Sequence, residues 1–379
     1  MLAEIQMIVI MKQYRIIISG GGTGGHIFPA VAIARELESR FKNLEILFIG
    51  AKNRMEMEKV PNAGYNIKGL WISGFDRKIS LKNFIFPIKL LHSIIRSFII
   101  TFHFKPNLVI GTGGFASFPI VFASSILGRS TLIQEQNSYA GISNKILSKY
   151  VNRICVSYEN MDRFFPKQKI QFAGNPIRKS ILNFDLDIEE SKKFFNLNNE
   201  NTTILVIGGS LGAKSINESI SKNINFFVEN NLNLLWQTGV LYEEVSKDTL
   251  KKIGLNTLNS FKFINQMHHA YAAADIIISR AGAIAISELS YIGKPVILIP
   301  SPNVAEDHQM KNAQSLVNKN SALMVKDVDA RLKLVETLEI LVKNKNLQEK
   351  LGQNIKKLSM PLATSMIVDE CLKIIKELI

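Results

Sequence analysis

The stretch that decides the fold is Ile16-Ile17-Ile18-Ser19-Gly20-Gly21, and a near copy of it, Ile204-Leu205-Val206-Ile207-Gly208-Gly209, follows later in the chain. In each copy a short apolar run, typical of a buried strand, ends in adjacent glycines that permit a tight turn. The first copy begins at residue 16 and the second at residue 204, so the spacing is about half of the 379 residues. The repeat predicts two similar domains.

Similar strand-like runs continue between helical patterns along the whole chain. Beyond the two copies they are Leu44–Ile49, Leu108–Ile110, Thr131–Gln134, Ile154–Ser157, Leu232–Gln237, Ile276–Ser279 and Pro295–Ile299. Alternation of strands and helices indicates parallel sheets covered by helices. We therefore expect an α/β protein of two Rossmann-like, doubly wound domains that face a central cleft. Gly174 and Pro176 indicate a boundary that divides residues 1–176 from 177–360, and the amphipathic segment 361–379 is expected to pack back on the first domain.

The composition excludes several classes of protein. With 46% hydrophobic and 21% charged residues, the chain is neither disordered nor fibrous. Cys155 and Cys371 are the only cysteines and form no CxxC motif, which argues against a disulfide scaffold, a zinc ribbon or an iron–sulfur protein. The sequence therefore indicates an ordinary globular protein.

The formal charge of +14 predicts attraction to polyanions such as nucleic acid, an anionic membrane or phosphorylated substrates. Residues 59–134 hold nine basic residues and a single acid, Asp76. The same stretch carries an apolar helical pattern: Ile88, Leu91, Ile95, Phe98 and Phe102. Pro87, Lys89 and Arg96 argue against a membrane-spanning helix. Two interpretations stay open, a helix that lies on a membrane surface and a core-facing helix with a solvated basic side.

The first glycine-rich loop, Gly20 to Gly25, is followed by His26 and a helix expected to begin near Phe28-Pro29. It satisfies GxGxxG, but the second strand is followed by Gly50-Ala51 without the acidic residue that would hold a ribose, so a dinucleotide site is disfavoured. An imidazole at this position could accept a proton from a substrate hydroxyl. The alternative is that His26 only hydrogen-bonds the loop.

Two further loops repeat this design. Gly111-Thr112-Gly113-Gly114-Phe115 follows one strand, and Gly208 to Ala213 follows another. Helix N-termini bind anions through free N–H groups, so a diphosphate-bearing substrate is expected. The spacing before Lys214 does not match a P-loop. The Asp-x-Asp pairs at residues 185–187 and 327–329 follow no strand that would end in a cleft, so no metal site is predicted.

Several motifs together resemble those of the bacterial peptidoglycan N-acetylglucosaminyltransferases of glycosyltransferase family 28. They are Gly21 to Ala30, Gly113-Gly114-Phe115, Glu135-Gln136-Asn137, Gly174 to Arg178, Gly208 to Ala213, Ala281-Gly282-Ala283 and Asp307-His308-Gln309. The resemblance implies a GT-B fold and an inverting hexosyltransferase that needs no cofactor or tightly bound metal. It implies transfer of GlcNAc from UDP-GlcNAc to the 4-hydroxyl of undecaprenyl-diphospho-MurNAc-pentapeptide (lipid I), giving lipid II for peptidoglycan synthesis. It also implies a peripheral position on the cytoplasmic face of the cell membrane, held by the basic apolar stretch, and no nucleic-acid partner.

The resemblance also implies roles for individual residues. His26 matches the general base. The residues implied to bind UDP-GlcNAc are Thr23, Gly24, Gly25, Asn137, Arg178, Ser210, Ile264, Ala283, Ile284, Ala285, Ile286, Ser287, Glu288 and Gln309. Gly113 and Gly114 are assigned to the acceptor diphosphate. The chain departs from the family where Gln134 and Ala281 stand at positions at which relatives often have His and Ser.

Two alternatives remain. One is another GT-B glycosyltransferase with a different sugar nucleotide or lipid-linked acceptor, against which Asn137 and Gln309 argue. The other is a non-catalytic protein that binds anionic lipid or nucleic acid, which the positive charge permits.

Overall fold

The computed structural model describes residues 13–74, 81–182, 187–209 and 211–376. Contacts within the chain divide it into two units. Unit 1 comprises residues 1–177 and 360–379, and unit 2 comprises residues 178–359. Each unit is built on one parallel sheet.

Unit 1 contains a seven-stranded sheet. Its elements are β1 (Tyr14–Gly20), α1 (Gly24–Arg40), β2 (Leu44–Ala51), α2 (Glu56–Asn62), β3 (Ile67–Leu70), α3 (Leu81–Phe104), β4 (Leu108–Gly113), α4 (Phe118–Ile126), β5 (Ser130–Glu135), α5 (Ile142–Leu147), β6 (Arg153–Val156) and β7 (Ile170–Phe172), with α16 (Ala363–Lys376) at the end of the chain. The strand order is β3-β2-β1-β4-β5-β6-β7, and all pairings are parallel.

Unit 2 contains a six-stranded parallel sheet. Its elements are α6 (Lys179–Leu182), α7 (Ile188–Phe194), β8 (Thr203–Ile207), α8 (Lys214–Lys222), α9 (Ile224–Glu229), β9 (Asn233–Gln237), α10 (Glu243–Ile253), β10 (Leu258–Phe261), α11 (Met267–Ala273), β11 (Ile276–Ser279), α12 (Ala283–Ile292), β12 (Val296–Leu298), α13 (His308–Val317), β13 (Leu323–Met324), α14 (Ala330–Lys343) and α15 (Lys345–Lys356). The order is β10-β9-β8-β11-β12-β13. The prediction of two doubly wound parallel-sheet domains is confirmed.

The repeated sequence occupies the same place in both sheets. β1 lies between β2 and β4, and β8 lies between β9 and β11. Ile16 and Ile18 face one apolar core of unit 1, and Ile17 faces the other. A strand buried on both faces requires a continuous apolar run, which explains why these two runs were so evident in the sequence.

The last helix, α16, belongs to the core of unit 1. Ile367, Val368, Cys371 and Ile374 are buried in the same cluster as β1 and α1. Arg40 near the end of α1 also pairs with Asp369, with 2.6 Å between its Nη1 and the carboxylate Oδ1. Residues from the two ends of the sequence therefore share one core.

α3 turns its apolar side outward. Leu91 and Ile88 are each 61% exposed and Phe102 is 66% exposed, whereas Ser93, Ser97 and Thr101 are buried. Its polar side packs on α4, where the hydroxyls of Thr101 and Ser124 lie 2.9 Å apart. The apolar residues that were candidates for facing the core are therefore largely exposed, and the packed face of α3 combines these hydroxyl side chains with Leu90, Ile100 and Phe104, which join the apolar core. In the described part of the chain, α3 is also the one helix that is long and apolar enough to cross a membrane by length and composition, over Phe84–Phe104.

Candidate active site

Two glycine loops of unit 1 meet because the strands that carry them are neighbours. β1 pairs with β4, so the loops after them leave the same edge of the sheet. Gly114 has a φ of +80°, and a Cβ there would lie 2.4 Å from the Gly21 carbonyl oxygen. Gly113 has a φ of +100°, and a Cβ there would lie 2.9 Å from His26 Nδ1. Only glycine permits both the backbone conformation and the close approach.

The helix of the first loop begins earlier than expected. α1 starts at Gly24 rather than near Phe28-Pro29. The carbonyl of Thr23 accepts hydrogen bonds from the N–H groups of His26 at 3.1 Å and Ile27 at 3.3 Å, which close the first turn. Thr23 and Gly25 are exposed at this helix N-terminus. The structure thus brings Thr23, Gly24, Gly25 and His26 together with Gly113 and Gly114.

His26 is held by the second loop. Its Nδ1 lies 3.0 Å from the Thr112 carbonyl oxygen and 2.9 Å from Gln136 Oε1. The Thr112 hydroxyl donates to the His26 carbonyl oxygen at 2.8 Å. Because a carbonyl oxygen only accepts, Nδ1 carries the proton and Nε2 is the basic nitrogen.

The environment keeps the imidazole neutral at pH 7. Burial lowers the pKa of His26 below its usual 6.5, while the hydrogen bonds to Gln136 and Thr112 and the charge of Glu56 oppose this shift. A neutral imidazole with its Nδ1 proton engaged can accept a proton at Nε2.

Glu56 is a buried carboxylate that the sequence analysis missed. It lies at the start of α2, is fully buried, and accepts hydrogen bonds from the N–H groups of Gly22 at 3.1 Å and Ala51 at 3.0 Å. It therefore ties the first glycine loop to the end of β2. No local signal separates Glu56 from the exposed Glu58 on the same short helix.

Asn137 lies in a loop organised by another buried carboxylate, Glu135. This carboxylate accepts hydrogen bonds from Asn144 Nδ2 at 2.8 Å and from the N–H groups of Asn137 and Gly141, each at 3.1 Å. Burial raises the pKa of Glu135, and these hydrogen bonds oppose the rise. The loop that carries Asn137 is therefore fixed from within.

In unit 2, Arg178 and Glu288 form a bidentate ion pair. Arg178 Nε lies 2.6 Å from Glu288 Oε1, and Nη2 lies 2.7 Å from Oε2. The hydroxyl of Tyr271, which the sequence analysis did not identify, donates to Oε2 at 3.3 Å. Glu288 is 3% exposed and the side chain of Arg178 is 44% exposed. Burial alone would lower the pKa of Arg178, but the hydrogen bonds and the charge of Glu288 outweigh it and raise this pKa.

The remaining residues assigned to the donor lie around the same sheet. The helix that follows β11 is α12, and its first turns contain five of these residues: Ala283, Ile284, Ala285, Ile286 and Ser287. The N–H of Ile264 donates to Gln237 Oε1 at 3.0 Å, and Gln309 Oε1 accepts from the N–H of Ser301 at 2.9 Å. Ser210 lies outside the described residues. A nucleobase that accepts a hydrogen bond from the Ile264 N–H would have to replace Gln237 Oε1 as the acceptor.

One aspartate of each Asp-x-Asp pair has a structural partner. Asp187 caps α7 by accepting from the N–H of Glu189 at 2.9 Å. Asp327 Oδ1 lies 2.5 Å from Arg280 Nη1 and 2.5 Å from the Ser215 hydroxyl. Among the residues that the structure describes, no group of three or more His, Cys, Asp or Glu side chains is placed to hold a metal ion.

Comparison with known proteins identifies the family. The glycosyltransferase family 28 N-terminal domain matches residues 16–156, and its C-terminal domain matches residues 203–366. The chain is 54% identical to the UDP-N-acetylglucosamine--N-acetylmuramyl-(pentapeptide) pyrophosphoryl-undecaprenol N-acetylglucosamine transferase of Flavobacterium psychrophilum, over 97% of this chain and 99% of the relative. It is 53% identical to the protein of the same name from Cytophaga hutchinsonii, over 96% and 98% of the two chains.

A solved structure agrees with these matches. The crystal structure of MurG from Acinetobacter baumannii superposes with a TM-score of 0.76 at 25% identity, over 95% of this chain and 99% of that one. The family models match both halves of the sequence, and the fold agrees with them. The chain therefore belongs to glycosyltransferase family 28.

Proposed function

We propose that this enzyme transfers GlcNAc from UDP-GlcNAc to the 4-hydroxyl of undecaprenyl-diphospho-MurNAc-pentapeptide, converting lipid I into lipid II in peptidoglycan synthesis. The observation that carries the proposal is the likeness, at 54% identity over 97% of the chain, to a relative whose name states this transfer. The glycine loops, the basic imidazole of His26 and the Arg178–Glu288 pair supply the groups that the reaction needs.

His26 is the proposed general base. As the acceptor oxygen attacks C1 of GlcNAc, its proton passes to His26 Nε2, while the bond from C1 to the diphosphate breaks and UDP leaves with the electron pair. Attack on the face opposite the leaving group inverts the anomeric centre. In this scheme Gly113 and Gly114 lie against the imidazole and present backbone to the acceptor diphosphate, with the N-terminus of α1 beside them.

The donor is proposed to bind mainly on unit 2, with Arg178 on the diphosphate and Glu288 on the ribose. A carboxylate has about four lone-pair sites, and Glu288 already uses three of them, two for Arg178 and one for Tyr271. Binding of both ribose hydroxyls therefore requires at least one of these donors to leave Glu288. The proposal assigns this change to Arg178, which would turn to the diphosphate, whose negative charge replaces that of the carboxylate. The guanidinium then neutralises charge that develops on the leaving group.

The other proposed donor contacts follow the family pattern. They are Thr23, Gly24, Gly25 and Asn137 in unit 1 and Ser210, Ile264, Ala283 to Ser287 and Gln309 in unit 2. The proposal assigns residues 1–176, with the C-terminal helix, to the acceptor and the membrane, and residues 177–360 to UDP-GlcNAc. In this proposal unit 1 supplies the general base, His26, and unit 2 binds the nucleotide.

The exposed face of α3 is proposed to hold the enzyme on the cytoplasmic face of the membrane, where a lipid-linked acceptor lies. Leu91, Ile95 and Phe102 expose apolar surface, and Lys89 and Arg96 of the same helix supply positive charge. An apolar helix face flanked by cations binds at an anionic lipid surface. The burial of Ser97 and Thr101 against α4 supports a peripheral position rather than a span, because crossing the bilayer would strip α3 from its own unit.

The test is release of UDP by the purified protein with UDP-GlcNAc in EDTA, with and without a short-chain lipid I analogue in detergent. We expect acceptor-dependent release that survives EDTA. His26→Ala should abolish it, whereas His103→Ala, which removes an exposed imidazole of the same unit, should not. Release only with another sugar nucleotide would replace the donor assignment, and lipid binding without release would favour the non-catalytic alternative.

A further inference from the structure

Gln136 lies behind His26 and is 1% exposed. Its Nε2 is 2.6 Å from the Thr112 carbonyl oxygen and 3.2 Å from the Gln134 carbonyl oxygen, and it also contacts Gln134 Oε1. Its Oε1 is 2.9 Å from His26 Nδ1. Every polar atom of this side-chain amide is therefore engaged within the site.

These contacts fix which way the amide points. The two backbone carbonyl oxygens can only accept, so the amide atom that faces them must be the nitrogen. The oxygen then has to face His26. An amide oxygen facing Nδ1 requires a proton there, and the Thr112 carbonyl imposes the same requirement independently.

We infer that Gln136 is a positioning residue for the transfer, one that holds His26 with its Nδ1 protonated and its Nε2 aimed as the base. This inference rests on the proposed function, because it assigns Gln136 a role only if His26 accepts the proton. As His26 becomes an imidazolium, the Nδ1–H bond to Gln136 Oε1 strengthens, which stabilises the charge that forms in the transition state.

The orientation of Gln136 is itself supported by a chain of buried amides. Gln134 Nε2 donates to Asn175 Oδ1 at 2.9 Å, and Asn175 Nδ2 donates to the Gln136 carbonyl oxygen at 3.1 Å. The Ser157 hydroxyl donates to the same Asn175 Oδ1 at 2.6 Å. Position 134, where relatives often have His, thus holds a glutamine whose oxygen accepts from Gln136.

No carboxylate within the described residues contacts the imidazole directly. Glu56, on α2, is the charged group that acts on His26, and it acts through space rather than by a hydrogen bond. The neutral groups Thr112 and Gln136 make the contacts at Nδ1. The hydrogen bonds at Nδ1 therefore come from neutral groups, and Glu56 contributes only through its charge.

Gln136→Met tests the inference, with Gln171→Met, the same substitution on the edge strand β7 of unit 1, as the control. The methionine keeps the volume and loses the acceptor at Nδ1. We expect kcat to fall at least about tenfold with little change in KM for UDP-GlcNAc, as for loss of an interaction made in the transition state. Since the Gln136 hydrogen bond raises the pKa of His26, its loss should also move the acid limb of kcat/KM to lower pH. Gln171→Met should leave both quantities unchanged.

The outcomes separate the two claims. If wild type shows no acceptor-dependent UDP release, or His26→Ala stays fully active, the proposed function or its base assignment fails. If wild type behaves as proposed but Gln136→Met keeps the wild-type kcat and acid limb, the inference about Gln136 is overturned. A fall in activity with an unmoved acid limb also overturns it, because a merely structural defect acts in that way.

A measurement on the wild type covers the case in which Gln136→Met does not fold. Nitrogen-15 NMR of histidine-labelled protein distinguishes the two neutral tautomers, and His26→Ala identifies the signal. We expect the Nδ1-protonated form for His26, whereas an Nε2-protonated ring would overturn the inference.

Discussion

Glu56→Gln should loosen the first glycine loop. The Glu56 carboxylate is fully buried and receives the N–H groups of Gly22 and Ala51, one at each oxygen. A glutamine offers one oxygen and one NH2 group, so it can accept from only one of the two donors. The other N–H then faces an NH2 group inside the protein.

The magnitude follows from these two contacts. A hydrogen bond to a charged acceptor contributes about 1.5–3 kcal/mol, and a buried donor left without a partner costs about 1–3 kcal/mol. We expect Glu56→Gln to lower the free energy of unfolding of unit 1 by about 3 kcal/mol. For a domain of about 200 residues, that corresponds to a Tm lower by roughly 6–12 °C.

Glu58→Gln is the matched control. It makes the same chemical change on the same helix, but the side chain of Glu58 is 69% exposed and pairs with Lys59, which is also exposed. Such pairs contribute about 0–1 kcal/mol. The assay combines thermal unfolding with hydrogen exchange of peptides that span residues 20–28, where exchange of the Gly22 amide should accelerate only in Glu56→Gln. Equal Tm values and equal exchange in the two variants would refute the reasoning.

Three further predictions concern Tyr271, the pH dependence set by His26, and α3. Tyr271→Phe removes one hydrogen bond to the charged carboxylate of Glu288, an interaction worth about 1.5–3 kcal/mol. KM for UDP-GlcNAc should therefore rise at least about tenfold in steady-state assays, and an unchanged KM would argue against Tyr271 orienting this carboxylate. Because burial lowers the pKa of His26, the base stays unprotonated to lower pH than a free imidazole, and the acid limb of kcat/KM should lie below pH 6.5; a limb above that value contradicts the assignment. Leu91→Glu should reduce co-sedimentation with anionic vesicles severalfold. The control Leu332→Glu, at a leucine of unit 2 that is 81% exposed, should not reduce it. Equal sedimentation of the two variants would contradict the proposal that α3 binds the membrane.

The central strands could be predicted from sequence, but the edges of the sheets could not. β1 and β8 are buried on both faces and require continuous apolar runs, which the sequence displays. The four strands that were not predicted, β3, β7, β10 and β13, are the four edge strands of the two sheets. They are two to four residues long and more exposed, so neither length nor hydrophobicity distinguishes them from loops.

The site shows the same division between local and spatial signals. Glycine loops and His26 are evident because their chemistry is contiguous in sequence. Gln136 acts on His26 across 110 positions and Glu56 acts on Gly22 across 34, so their partners exist only after β1, β2, β4 and β5 have paired. The sequence left the orientation of α3 open for a related reason, because a periodic apolar pattern is the same whether protein or lipid covers that face of the helix.

The position of α16 has a consequence for synthesis of the chain. The ribosome completes β1 to β7 first, yet the core around Ile16 and Ile18 also needs Ile367, Val368 and Cys371. Unit 2, residues 178–359, is one uninterrupted segment and can fold while those residues are still being translated. The nascent unit 1 therefore carries an uncovered apolar groove until α16 emerges, and during that interval chaperones have a binding surface that the finished protein lacks.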